Sequence, residues 1–199
     1  MENPFTVLSL VASVLEQQRI AYVLVGSLAS SMHGMFRSTA DIDIVADVHS
    51  EQVIPLLTAL QENFYVDESV VREAIDQRHS FNAIHFDSVL KVDIFIPKTD
   101  EFSRKQIERR QLRKLTPESE QMVYVATAED TILAKLRQYD SGGRVSKTQW
   151  TDVVGIIGGS SSILDLDYLR DWAERLGLTE LLNKAFEEAR DEESGSSGK

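Results

Sequence analysis

The chain has 199 residues, no cysteine, 42% hydrophobic and 27% charged residues, and a formal net charge of −11. That size and composition suit a globular protein with its own core, as one domain or as a small domain with a helical extension. The lack of cysteine excludes disulfides, thiolate nucleophiles and Cys-ligated zinc, and the acidic balance argues against passive, sequence-blind binding of nucleic acid.

In chain order, Pro4 to Gln18 carries Phe5, Val7, Leu8, Val11 and Leu15 at helical spacing. The apolar stretch Val7 to Leu15 is too short to cross a bilayer, and Glu2 precedes it without Lys or Arg, unlike a secretory signal. The chain therefore reads as cytoplasmic, with no membrane partner. Ala21 to Val25 is a short apolar run bounded by Gly26 and predicts a buried strand. Leu28 to Met32 follows as a short helix, and Ile42 to Val45 as a second strand. Ser50 is the expected N-cap of a helix through Gln61. Phe64 to Gln77 reads as a short strand and then a helix.

Phe81 to Phe86 and Leu90 to Ile96 alternate around Asp87-Ser88, which predicts a hairpin ended by Pro97. Phe102 to Arg109 reads as a helix and Gln121 to Val125 as a further strand. From Ala128 to Arg190 the pattern is helical, with breaks expected near Ser141-Gly142-Gly143 and Gly158-Gly159-Ser160. These elements predict an α+β fold: a sheet domain over residues 1–126, a helical C-terminal domain over 127–191 and a disordered Gly/Ser tail over 192–199. Charge is uneven: Lys98 to Lys114 holds seven basic and three acidic residues. Solvated surface is the ordinary reading of such a run, and guidance of an RNA's phosphates the functional one.

Chemistry concentrates in two strands. In Asp41-Ile-Asp43 the acids are two residues apart, so on a strand they share a face, about 6.6 Å apart along it. Ile42 and Ile44 then form the core side. Two carboxylates held together repel each other, and a divalent cation such as Mg²⁺ removes that cost. An exposed strand with polar alternation is the plainer alternative, although Asp is a poor strand former. Lys91-Val-Asp93-Ile-Phe-Ile puts a third acid in another apolar strand, with Lys91, Asp93 and Phe95 on one side. Three such acids could hold two metal ions, Mg²⁺ or Mn²⁺, with one acid serving an attacking hydroxyl. Gly26-Ser27, at a strand-to-helix turn, offers backbone N–H groups and a hydroxyl to an anion.

The combination of Gly26-Ser27, Asp41-Ile-Asp43 and Asp93, over roughly residues 20–97, resembles the DNA polymerase β-type nucleotidyltransferases. Arg37-Ser-Thr-Ala-Asp-Ile-Asp looks like the bacterial branch of minimal and AbiEii-type members. The resemblance implies a nucleotidyltransferase-type mixed sheet flanked by helices and followed by a helical segment. It implies that Asp41, Asp43 and Asp93 are the catalytic and metal-holding acids. It also implies transfer of an NMP from an NTP, ATP among them, to a hydroxyl of an unidentified acceptor: RNA, a partner protein or a small molecule. A toxin–antitoxin role is one setting that the branch suggests. Glu129-Asp130 and Lys135 match the branch's helical segment, which makes Lys135 a candidate triphosphate ligand.

Arg37 is a candidate phosphate clamp, or a surface residue pairing with Asp47. His33 reads as packed rather than nucleotide-binding, and His79 and His85 as structural. Asp152 either reaches the site or caps a helix, Asp165 caps a helix, and Trp150, Tyr168 and Trp172 belong to the core. The rival to an enzyme is a catalytically silent nucleotide-binding or interaction module that keeps the fold.

Overall fold

The computed structural model describes residues 3–34, 41–116 and 119–196. Helix α1 (Pro4–Gln17) begins at Asn3, whose side chain accepts a hydrogen bond from the Phe5 amide at 3.1 Å, with Pro4 in the first turn. Its buried face is Val7, Leu8, Val11, Ala12 and Leu15, the helical period seen in the sequence. There follow β1 (Tyr22–Val25), α2 (Gly26–Met32), β2 (Ile42–Ala46), α3 (Val53–Leu60), β3 (Phe64–Tyr65) and α4 (Glu68–Gln77). The hairpin of β4 (Ser80–His85) and β5 (Lys91–Phe95) comes next, then α5 (Glu101–Glu108), β6 (Gln111–Lys114) and β7 (Met122–Val125).

Among the described residues these strands make one seven-stranded sheet in the order β3-β4-β5-β2-β1-β7-β6. The β2–β5 and β1–β7 pairs are parallel and the rest antiparallel, the mixed sheet expected from the sequence. Alternation decides which side is core. Ile42, Ile44, Val92, Ile94, Phe81 and Ala83 are buried on one side, while Asp43, Val45, Lys91, Asp93 and Phe95 lie on the other, half-buried or exposed. His85 is also buried, edge-on to Phe64, with Nδ1 3.0 Å from Ser88 Oγ, which gives it a structural role.

The helical part holds α6 (Ala128–Ser141), α7 (Lys147–Ser160), α8 (Leu166–Arg175) and α9 (Thr179–Ser196). Thr127, Ser146 and Asp165 cap the first three through their side-chain oxygens, Asp165 as expected. Ile132, Leu136, Val153, Ile156, Leu169, Trp172 and Leu182 are among its buried residues. The described residues fall into two compact units: 3–28 with 41–126, and 29–34 with 127–196. No helix among them is long and apolar enough to cross a membrane.

The structure corrects three local expectations. Ser50 does not cap α3; a 3-10 turn, Ser50–Gln52, leads into it, and the Gln52 side chain accepts from the His49 amide at 3.0 Å. Strand β6 was not expected, since its four residues are all exposed and show no alternation. The break expected near Gly158-Gly159-Ser160 is present, since α7 ends at Ser160 and α8 begins at Leu166. A Cβ at Gly159 would meet only ordinary contacts, 3.5 Å from the His33 carbonyl oxygen and 3.8 Å from Gly34 Cα. Finally, α9 continues to Ser196, inside the stretch 192–199 read as a tail.

Candidate active site

The candidate site is built on the open side of the sheet. In the parallel β2–β5 pair Asp43 is the direct partner of Asp93, so two acids from distant parts of the chain occupy neighbouring strands at one level. Strand spacing puts their backbones about 4.8 Å apart. Asp41 is exposed and stands one residue before β2, whose first residue is Ile42. Asn82 on β4 is the register partner of Asp93 on its other side.

Gly26 completes this corner. In the antiparallel β1–β2 pair Val25 faces Asp43, and the chain then turns at Gly26 with φ +68°. A Cβ added there would clash with Asp43 Oδ2 and stand 2.8 Å from its Cγ. Only glycine combines this left-handed backbone with so close an approach to a carboxylate. Ser27 follows in the first turn of α2, half-buried.

A cation already stands among the acids. The Lys91 ammonium lies 2.8 Å from Asp93 Oδ2, with the Lys91 side chain 50% exposed and that of Asp93 19%. Its pKa is raised above the ordinary lysine value, first by the hydrogen bond to Asp93, against the opposing effect of desolvation, and further by the charges of Asp93, Asp41 and Asp43. All three acids therefore act on one ammonium group. Among the described residues no three His, Asp or Glu side chains are closed up as metal ligands. The acids supply carboxylate oxygens, the donor type that a hard divalent ion prefers. The sequence places Lys91 on the Asp93 face of its strand, two residues before it, but does not show that its ammonium pairs with that acid.

The other candidates divide. Arg37 lies outside the described residues. Lys135 is buried in the helical unit, with its ammonium 2.7 Å from Asp152 Oδ2 and 3.2 Å from Gln149 Oε1. Asp152 is thus an ion-pair partner within that unit. Glu129 accepts from the Asp165 amide at 3.0 Å, and Asp130 accepts from the Tyr168 hydroxyl at 2.7 Å. His33 is buried, and its carbonyl accepts from Ser160 Oγ at 3.4 Å. In the basic stretch, Lys105 pairs with Glu108, Lys114 with Glu120, and Arg110 stacks over Tyr124.

The family described as "Nucleotidyltransferase of unknown function (DUF6036)" matches residues 5–170, and the chain belongs to it. Three solved structures share the fold at low identity. An antigenic nucleotidyltransferase-like protein from Paracoccidioides brasiliensis is 16% identical over 92% of each chain, with a TM-score of 0.54. The solution structure of the antibiotic-resistance factor ANT(2'')-Ia is 13% identical over 97% of this chain and 96% of that one, with a TM-score of 0.54. The crystal structure of ANT(2")-Ia in complex with adenylyl-2"-tobramycin is 17% identical over 92% and 96%, with a TM-score of 0.50. No curated protein matches the chain in sequence.

Proposed function

From membership of a nucleotidyltransferase family we propose that this enzyme moves an NMP from an NTP to an acceptor hydroxyl at the corner formed by Gly26, Asp43 and Asp93. The observation that carries the reading is the register pairing of Asp43 with Asp93, beside a glycine that touches the Asp43 carboxylate. Asp41 and Asp43 are the residues proposed to hold Mg²⁺ with the triphosphate, and Asp93 is proposed to hold a second ion beside the attacking hydroxyl. A divalent ion bound there would neutralise phosphate charge and stabilise the attacking and leaving oxygens.

In the proposed reaction, the acceptor oxygen forms a bond to the α-phosphorus, and the bond from that phosphorus to pyrophosphate breaks. The hydroxyl proton passes to the Asp93 carboxylate. Gly26 lets phosphate oxygens approach the backbone, and Ser27 supplies a hydroxyl donor to them. Arg37 remains a proposed phosphate clamp. Lys135 is proposed to serve the helical unit through Asp152, and a triphosphate role for it would require that ion pair to open.

The finer assignments are proposals too. The motif around Arg37 and Asp41 supports the AbiEii-like, bacterial branch, with its toxin–antitoxin setting, a macromolecular acceptor and a cytoplasmic location. The fold shared with a protein solved with adenylyl-2"-tobramycin supports a small-molecule hydroxyl instead. The sheet domain is proposed to end near residue 126, where the helical pattern starts. The test is incubation with each α-labelled NTP and Mg²⁺ against three acceptor pools: total RNA, cell-extract protein and an aminoglycoside panel. Label in one pool identifies the acceptor class, and label in none, with every nucleotide, favours the silent binding module.

A further inference from the structure

We propose that Lys91 is the internal counter-ion of this site, a positioning residue that holds Asp93 in the metal-free enzyme and competes with an incoming divalent ion. The inference rests on the metal reading above and adds how that site is kept when the ion is absent. Lys91 and Asp93 project from the same side of β5, two residues apart, and their charged groups are 2.8 Å from each other. β5 lies between β2 and β4, with Asp93 level with Asp43 on one side and Asn82 on the other, so the Lys91–Asp93 pair stands beside the strand that carries Asp43.

Three carboxylates without a cation would repel one another. Lys91 relieves that repulsion from within the chain. The same ammonium opposes a second cation brought to the same oxygens, and Asp93 Oδ2 cannot serve Lys91 and a metal ion equally. Half of the Lys91 side chain is exposed, so it has room to swing away when the ion arrives. The metal requirement is therefore set by an exchange of cations.

The test measures Mn²⁺ binding without nucleotide, by the electron paramagnetic resonance signal of free Mn²⁺. The proteins are wild type, Lys91→Gln, Lys91→Arg and Asp43→Asn. Lys91→Gln keeps the length and a donor for Asp93 but removes the charge, and should bind Mn²⁺ about three- to fivefold more tightly, the scale of a half-exposed ion pair. Lys91→Arg should match wild type. A merely structural lysine would not tighten metal binding when removed. Equal or weaker Mn²⁺ binding by Lys91→Gln, with binding still lost in Asp43→Asn, overturns this inference and leaves the metal site standing. Mn²⁺ binding that Asp43→Asn does not change, or no binding by any of the proteins, overturns the metal reading and this inference with it.

Discussion

The backbone of Gly26 abuts the carboxylate of Asp43: a Cβ at position 26 would clash with Asp43 Oδ2 and lie 2.9 Å from Asp43 Cβ. The turn after β1 and the acid on β2 are thus fitted to each other. Gly26→Ala should displace that carboxylate, and an alanine at φ +68° adds about 1–2 kcal/mol of backbone strain. The expected outcome is a folded protein with a lowered melting temperature and label transfer reduced by about 100-fold, the cost of a small misplacement at a reacting centre. Wild-type transfer by Gly26→Ala would separate the turn from the chemistry.

Nucleotide binding should depend on the acids through the metal. NTP should raise the melting temperature clearly with Mg²⁺ and weakly without it, because a ligand bound to the native state stabilises by mass action. In Asp41→Asn and Asp43→Asn the Mg²⁺-dependent part should vanish. Equal Mg²⁺-dependent shifts in wild type and both variants, read by differential scanning fluorimetry, would place the metal elsewhere.

Lys135 and Asp152 give a stability prediction independent of catalysis. Their side chains are 4% and 3% exposed, with 2.7 Å between the charged atoms. Asp152→Ala leaves a buried ammonium without its carboxylate and should cost about 3–5 kcal/mol in urea unfolding. The double variant Lys135→Met with Asp152→Leu should recover most of that loss, since a well-packed apolar pair often replaces a buried ion pair without penalty. A loss below about 1 kcal/mol for Asp152→Ala would mean that the pair is open in solution.

Asp67 supplies the pH dependence. It caps α4, accepting from the Ser69 and Val70 amides, and its pKa is lowered, first by the hydrogen bond from the Ser69 side chain and then by that from the Val70 amide. A depressed folded-state pKa contributes stability that is complete above the unfolded value and lost as pH falls through the folded one. Wild type should therefore exceed Asp67→Ala in melting temperature by a constant margin at neutral pH. The margin should shrink below about pH 4, the ordinary aspartate range. A margin independent of pH down to acid unfolding would contradict this.

Much of the fold could be read from local patterns. The helical period of α1, the alternation of β2, β4 and β5, and the polar turn between β4 and β5 are short-range signals, and they appear where expected. Elements that rest on distant partners left no such trace. β6 has four exposed residues and exists because β7 accepts it as an antiparallel edge. At the candidate site, alternation put Asp43 and Asp93 on the non-core side of their strands. Their pairing depends on β5 lying parallel beside β2, which no local pattern encodes. The part played by Lys91 follows from that same pairing.

The most direct measurement compares label transfer and Mg·NTP affinity in wild type and Asp93→Asn. Asparagine keeps the shape of the side chain and removes its charge and basicity. If Asp93 takes the proton of the attacking hydroxyl, calorimetry should show Mg·NTP affinity largely retained. Transfer to the acceptor found in the labelling test should fall by about two to four orders of magnitude, because the interaction is made in the transition state. Transfer at the wild-type rate by Asp93→Asn would contradict the account.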